Sequence, residues 1–284
     1  MQYHKPGKTM IRRLIHLVWL SIIVTCLVAG LLCVRPAGAG DGSFAIIGDT
    51  HIGQREAPYT AFVKQVEKRG IHTIIIVGDA IETPGKKDEW DRLFHLTGDK
   101  IALHVTPGNH DANSRRALAV YKEVFSRDAY YSFSQNDTLF VLLNTEITGQ
   151  EGKITGQQFA WLDRELAKPF THKFVFLHRP LFPTIFGMGY CLDRYPQERD
   201  RLHQLFVKQG VAVVVSGHQH LYNRSEKDGV HYVISGGGGG RLHGFSEDEG
   251  AFLHYVLAKK SNGGYVFTAF DFKGIARDEF SVKR

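Results

Sequence analysis

The sequence predicts an α/β fold, a four-layer α/β/β/α sandwich of two mixed β-sheets flanked by helices. Three observations predict it. Short apolar runs such as Thr73-Ile74-Ile75-Ile76-Val77 and Val211 to Val215 read as strands buried on both faces. In the first half these runs alternate with segments of helical spacing, as in parallel strands joined by helices. Towards the C-terminus hairpin signals take over, with Asn262-Gly263-Gly264 between two apolar stretches.

Each element follows in order. Ser43 to Gly48 is an expected strand ending in Asp49-Thr50-His51. Tyr59 to Arg69 carries Phe62, Val63 and Val66 at helical spacing and stops at Gly70. The β-branched run at Thr73 ends in Gly78-Asp79. Lys87 to Leu96 reads as a helix, and Ile101 to Val105 as a strand running into Pro107-Gly108-Asn109-His110-Asp111. Ser114 is placed to cap a helix through Phe125, and Thr155 one that Pro169 ends. Tyr130 to Ser134 and Leu139 to Asn144 flank a hairpin turn. Lys173 to Leu177 ends in His178-Arg179-Pro180. Gln197 to Gln209 is a further helix, and the strand at Val211 ends in Ser216-Gly217-His218-Gln219-His220. Val230 to Ile234 leads into Gly236 to Gly240. Phe252 to Ala258 and Tyr265 to Phe270 form the last hairpin. There is no internal repeat, and residues 40–284 read as one domain.

Composition is that of a globular protein, 43% hydrophobic and 23% charged over 284 residues. Five of the six formal positive charges belong to the N-terminal leader. Lys5, Lys8, Arg12, Arg13 and Arg35 precede Gly40, where no acid stands, which leaves 30 basic against 29 acidic residues. The body therefore lacks the basic footprint of a nucleic-acid binder. Cys26 and Cys33 lie in the leader, so Cys191 has no partner for a disulfide within the body.

Residues 1–39 read as a signal peptide or an N-terminal membrane anchor. Leu14 to Val34 is apolar apart from His16, Ser21 and Thr25, with basic residues before it. Ala37-Gly38-Ala39 has the small-x-small form of a signal-peptidase site, while the run is also long enough to span a bilayer. Both readings place the body outside the cytoplasm, periplasmic or extracellular, and the second anchors it in the membrane through residues 14–34.

Five strand ends carry ligand-type side chains: Asp49 and His51; Asp79; Asn109 and His110; His178; His218 and His220. In α/β sheets ligands gather beyond the carboxyl ends of strands. Two carboxylates, one amide and four imidazoles suit two divalent cations sharing one carboxylate. No thiolate takes part, which argues against a structural zinc knot. No glycine-rich turn followed by Lys and Ser or Thr appears, which argues against a nucleotide P-loop.

The motifs Asp49-x-His51, Gly78-Asp79, Gly108-Asn109-His110-Asp111, His178 and Gly217-His218-x-His220 resemble the calcineurin-like metallophosphoesterase superfamily, in the family order, across Ser43 to Phe272. The resemblance implies that Asp49, His51 and His220 hold one metal, that Asn109, His178 and His218 hold the other, and that Asp79 bridges them. The metals would be Mn, Fe, Zn or a mixture, divalent or trivalent. His110 would face the leaving group as general acid while hydroxide generated at the metals attacks a phosphate mono- or diester. The family's protein phosphatases orient that His with an Asp three places after the bridging one. Glu82 stands there, one methylene longer, as a second candidate catalytic residue. Purple acid phosphatases place a metal-bound Tyr at that position and lack the first-motif His, so Glu82 and His51 argue against that subgroup.

Two alternatives accompany this reading. One is a lipid-linked phosphate or pyrophosphate hydrolase, with exposed Phe182, Ile185, Phe186 and Met188 touching lipid. The other is a catalytically silent metal-binding receptor on the same fold, against which the complete motif set speaks. His72, His95, His104, His172, His203, His231 and His254 read as hydrogen-bonded structural residues. Arg55, Arg179 and Arg224 follow ligand motifs closely, as phosphate clamps or as solvated surface. Gly236 to Gly240 reads as a slack loop, or, by the resemblance, as backbone passing close to the metals.

Overall fold

Two six-stranded sheets, packed face to face, carry the chain. The computed structural model describes residues 42–184, 190–244, 246–261 and 263–283, all within one unit, Gly40–Arg284. The leader lies outside the described residues, as do Ile185, Phe186 and Met188 of the loop after His178. Among the described residues no helix is long and apolar enough to cross a membrane.

The first sheet contains β1 (Phe44–Ile47), β2 (Thr73–Ile76), β3 (Ala102–Val105), β10 (His254–Ser261), β11 (Gly264–Asp271) and β12 (Ala276–Lys283), in the order β12-β11-β10-β1-β2-β3. The second contains β4 (Tyr131–Gln135), β5 (Thr138–Leu142), β6 (His172–Phe176), β7 (Val213–Ser216), β8 (Tyr222–Lys227) and β9 (Val230–Ser235), in the order β4-β5-β6-β7-β9-β8. β1, β2 and β3 are parallel, as are β5, β6, β7 and β9; antiparallel hairpins complete the edges.

Side-chain alternation along the central strands explains why their sequences are apolar throughout. Phe44 and Ile46 of β1, with Ile75 and Val77 of the β2 segment, face the space between the sheets, where Phe140, Phe174, Phe176 and Phe267 meet them. Ala45, Ile47, Ile74 and Ile76 face the opposite way, onto the helices Ala57–Lys68, Lys87–Thr97 and Arg115–Phe125. Val175 and Leu177 on the second sheet face the helices Gly156–Leu166 and Pro196–Lys208. The four expected layers are all present.

Two strands were not expected. β8 reads Tyr-Asn-Arg-Ser-Glu-Lys and β12 reads Ala-Arg-Asp-Glu-Phe-Ser-Val-Lys; both are edge strands, and their charge hides the strand signal while blocking further pairing. Ser114 caps its helix as expected, its Oγ accepting from Ala117 N at 3.2 Å. Thr155 does not cap through its side chain, because its hydroxyl donates to Gln150 Oε1 at 2.8 Å instead.

Candidate dinuclear metal centre

The parallel strands β1, β2, β3, β6 and β7 end at one pole of the sandwich, and all the expected ligands lie there. One ligand atom from each of Asp49, His51, Asp79 and His220 falls within 4.8 Å of the others, and the same holds for Asp79, His178 and His218. Asp79 belongs to both groups. Asn109 joins the second, its Oδ1 lying 3.1 Å from His178 Nε2.

The backbone is bent to make this cluster. Seven described residues other than glycine have positive φ: Asp49, His51, Asp79, His218, Ser126, Asn136 and Asp228. Ser126 ends a helix, and Asn136 and Asp228 sit in hairpin turns. The other four are expected ligands. Left-handed backbone is unfavourable for side-chain-bearing residues, and its concentration at one place marks a functional site. Gly78 (φ 87°) completes the turn, since a Cβ there would run into the His178 ring. Gly236 to Gly240 pass under the site rather than forming a slack loop. A Cβ on Gly236 would lie 2.8 Å from Asp49 Oδ2, and one on Gly240 2.6 Å from His220 Cε1.

Three of the four candidate ligand imidazoles are oriented from outside. His51 Nδ1 donates to Glu82 Oε2 (2.7 Å), His178 Nδ1 to the Val77 carbonyl (3.0 Å) and His220 Nδ1 to the Arg241 carbonyl (2.7 Å). Those bonds leave the Nε2 lone pairs facing inwards. His51 Nε2 then faces His220 Nε2 at 3.3 Å, and His178 Nε2 faces His218 Nδ1 at 3.2 Å. Lone pairs at such distances, beside the carboxylates of Asp49 and Asp79, require a positive charge between them. Protons or cations can supply it, and the donor set of imidazole, carboxylate and amide oxygen fits cations of the Mn, Fe or Zn type.

The electrostatics agree. Burial drives His218 down to about 2, so it remains a neutral donor. Burial would also lower His178, but the adjacent Asp79 carboxylate, 3.4 Å away, lifts it to about 10. Burial disfavours charge on Asp79, yet His178, His110 and His51 around it hold it below the usual carboxylate range. A cation held by His178 would displace that proton, so its binding would weaken as pH falls.

Glu82 does not reach His110 in the expected way. Its carboxylate orients His51, and its main-chain carbonyl accepts from His110 Nδ1 at 2.6 Å. His110 is also held through its backbone N–H, which donates to Asp79 Oδ1 at 2.8 Å. Asp111 lies fully buried beneath, accepting from the N–H groups of Ala80, Ile81 and Gly108. Burial and the nearby Asp79 push its carboxyl up to about 7. Asp111→Ala strands three buried donors and is expected to cost about 3 kcal/mol or more of stability, read as a lowered urea midpoint.

Two of the three arginines are committed elsewhere. Arg179 makes a two-pronged ion pair with buried Glu146, both contacts at 2.7 Å, and Arg224 pairs with Asp278. Arg55 is exposed. His104 stacks on Phe133, His203 bonds Tyr232 and Asp228, and His254 donates to the Phe252 carbonyl. Phe182 is half-buried against Tyr232 and His203 rather than exposed. Sequence reading missed His243, which stacks on His220 at 4.5 Å and accepts its backbone N–H. Only its position soon after the glycine run hinted at this.

The chain matches the calcineurin-like phosphoesterase family over residues 42–222, and it belongs to that family. Serine/threonine-protein phosphatase CPPED1 of Homo sapiens is 28% identical over 180 residues, 57% of this chain and 57% of that one. Purple acid phosphatase 15 of Arabidopsis thaliana is 26% identical over 176 residues, 54% of this chain and 32% of that one. The match thus spans little more than half the length of one relative and a third of the other. Purple acid phosphatase PPD1 of yellow lupin (Lupinus luteus) shares the fold, with a TM-score of 0.72 at 17% identity over 88% of this chain and 55% of that one.

Proposed function

We propose that the protein is an exported, two-cation phosphoesterase that hydrolyses phosphate mono- or diesters. The observation that carries this reading is the pair of inward-facing imidazole clusters sharing Asp79. Asp49, His51 and His220 would hold one cation, Asn109, His178 and His218 the other, and Asp79 both. When bound, such a pair neutralises phosphoryl charge and makes water nucleophilic near neutral pH.

The chain's own groups supply the rest. Glu82 and the carbonyls of Val77 and Arg241 fix the tautomers of the ligand imidazoles. His110, tied at Nδ1 to the Glu82 carbonyl, would in its imidazolium form hand the Nε2 proton to the departing oxygen. No Ser or Cys is needed as nucleophile, and Cys191 is buried with its thiol pushed up to about 12 by burial and Asp193.

The test is hydrolysis by the purified protein, stripped by chelation and reloaded with Mn, Fe or Zn. Monoesters, diesters, cyclic nucleotides and pyrophosphate form the panel. Metal-dependent turnover of an ester is expected, and inactivity with every metal contradicts the proposal. Export rests on the leader sequence, and fractionation is expected to find the protein outside the cytoplasm. A soluble cytoplasmic product with an intact N-terminus contradicts that part.

A further inference from the structure

We infer that the pole opposite the metal centre docks against an anionic lipid bilayer. β1, β2 and β3 are parallel, so their ligand-bearing ends share one pole and their beginnings the other. At the beginnings, Ser43 leads into β1, and the Lys260 N–H donates to Ser43 Oγ at 3.1 Å. Around that point stand Lys68 and Arg69 at a helix end, Lys100 before β3, Lys259 and Lys260 at the end of β10, and Lys283 opposite Gly264. The acids of the same segments are Glu67 and Asp99, and Asp137 of the neighbouring turn pairs with Lys260. Six cations thus stand against three acids at this pole, on a body that carries 30 basic and 29 acidic residues beyond residue 39.

A groove of about 320 Å³ runs from that pole along β10 and β11 towards Phe270, which pairs with Tyr255, and Ile71 and Leu257 are buried at its floor, with Arg69 and Lys259 beside them. The Arg69 guanidinium lies over the Phe270 ring, 5.4 Å from its centre. Long basic side chains such as Arg69 and Lys259 suit the headgroup layer of an anionic bilayer.

The occupant follows from the chain that arrives at this pole. The apolar run Leu14 to Val34 is bilayer-length, and only residues 35–41 separate it from Gly42. Seven residues reach at most about 25 Å. Attraction to anionic headgroups fades over about 8 Å at physiological salt, so a short tether is what brings such a patch into range. The inference rests on the reading of the leader as a membrane-inserted, exporting segment and is independent of the ester chemistry. Docked this way, the metal centre faces the water, and its substrate arrives from there.

Hydrogen–deuterium exchange of the full chain in nanodiscs tests this. The discs contain phosphatidylcholine alone or mixed with phosphatidylglycerol. Amides around Arg69–Ile71 and Leu257–Lys259 are expected to exchange at least about fivefold more slowly in the anionic discs, the change that one basic residue contributes near such a surface. Protection should vanish in high salt and in Arg69→Glu/Lys259→Glu, whose ester hydrolysis should be unchanged. Equal exchange in both lipids, or protection that survives the double substitution, overturns the docking. Protection in a protein that hydrolyses no ester upholds the docking and refutes the proposed activity alone.

Discussion

Asp79→Asn is expected to stay folded, bind fewer than two cations and lose at least about 10²–10³-fold in ester hydrolysis, as when a single electrostatic contributor is removed from a site. Asn has the size of Asp, and its Oδ1 can still accept the His110 backbone N–H that Asp79 accepts at 2.8 Å. What disappears is the charge. Asp79 is 2% exposed and belongs to both candidate ligand clusters, so its loss should be felt by both cations. His51→Ala touches one cluster and should mainly empty one site. Elemental analysis of the two variants separates these outcomes. Asp79→Asn with two cations and normal turnover would refute the shared role.

His110→Ala should keep its cations and fold, yet lose about 10²–10⁴-fold on alkyl phosphate esters, the usual contribution of a positioned general acid. Nitrophenyl esters, whose leaving group departs without a proton, should lose much less. The prediction follows from His110 standing edge-on to His51 at 4.7 Å with its Nδ1 tied to the Glu82 carbonyl. A plot of rate against leaving-group pKa should steepen in the variant. Parallel lines with intact metal content would remove His110 from the chemistry.

The sequence showed the two faces of the central strands because each is apolar all along, and a strand between a second sheet and a helix layer has no polar side. It showed the candidate ligands because each follows directly on such a strand. β8 and β12 escaped notice because edge strands carry charge where they meet solvent. The left-handed backbone at Asp49, His51, Asp79 and His218 is equally silent in the sequence, since none of those residue types demands positive φ. The reach of Glu82 to His51, 31 positions away, and the stacking of His243 on His220 depend on how loops cross above the sheets. Arg179 shows the same limit. Its place after His178 suggested a phosphate clamp, but Glu146, from the loop after β5, already occupies its guanidinium.

We propose that two cations share Asp79 at the ends of these strands. Elemental analysis of the purified protein, reconstituted with Mn or Zn and freed of excess by gel filtration, tests it most directly. Two cations per chain are predicted for the wild type, and a protein that binds one or none under those conditions contradicts the account.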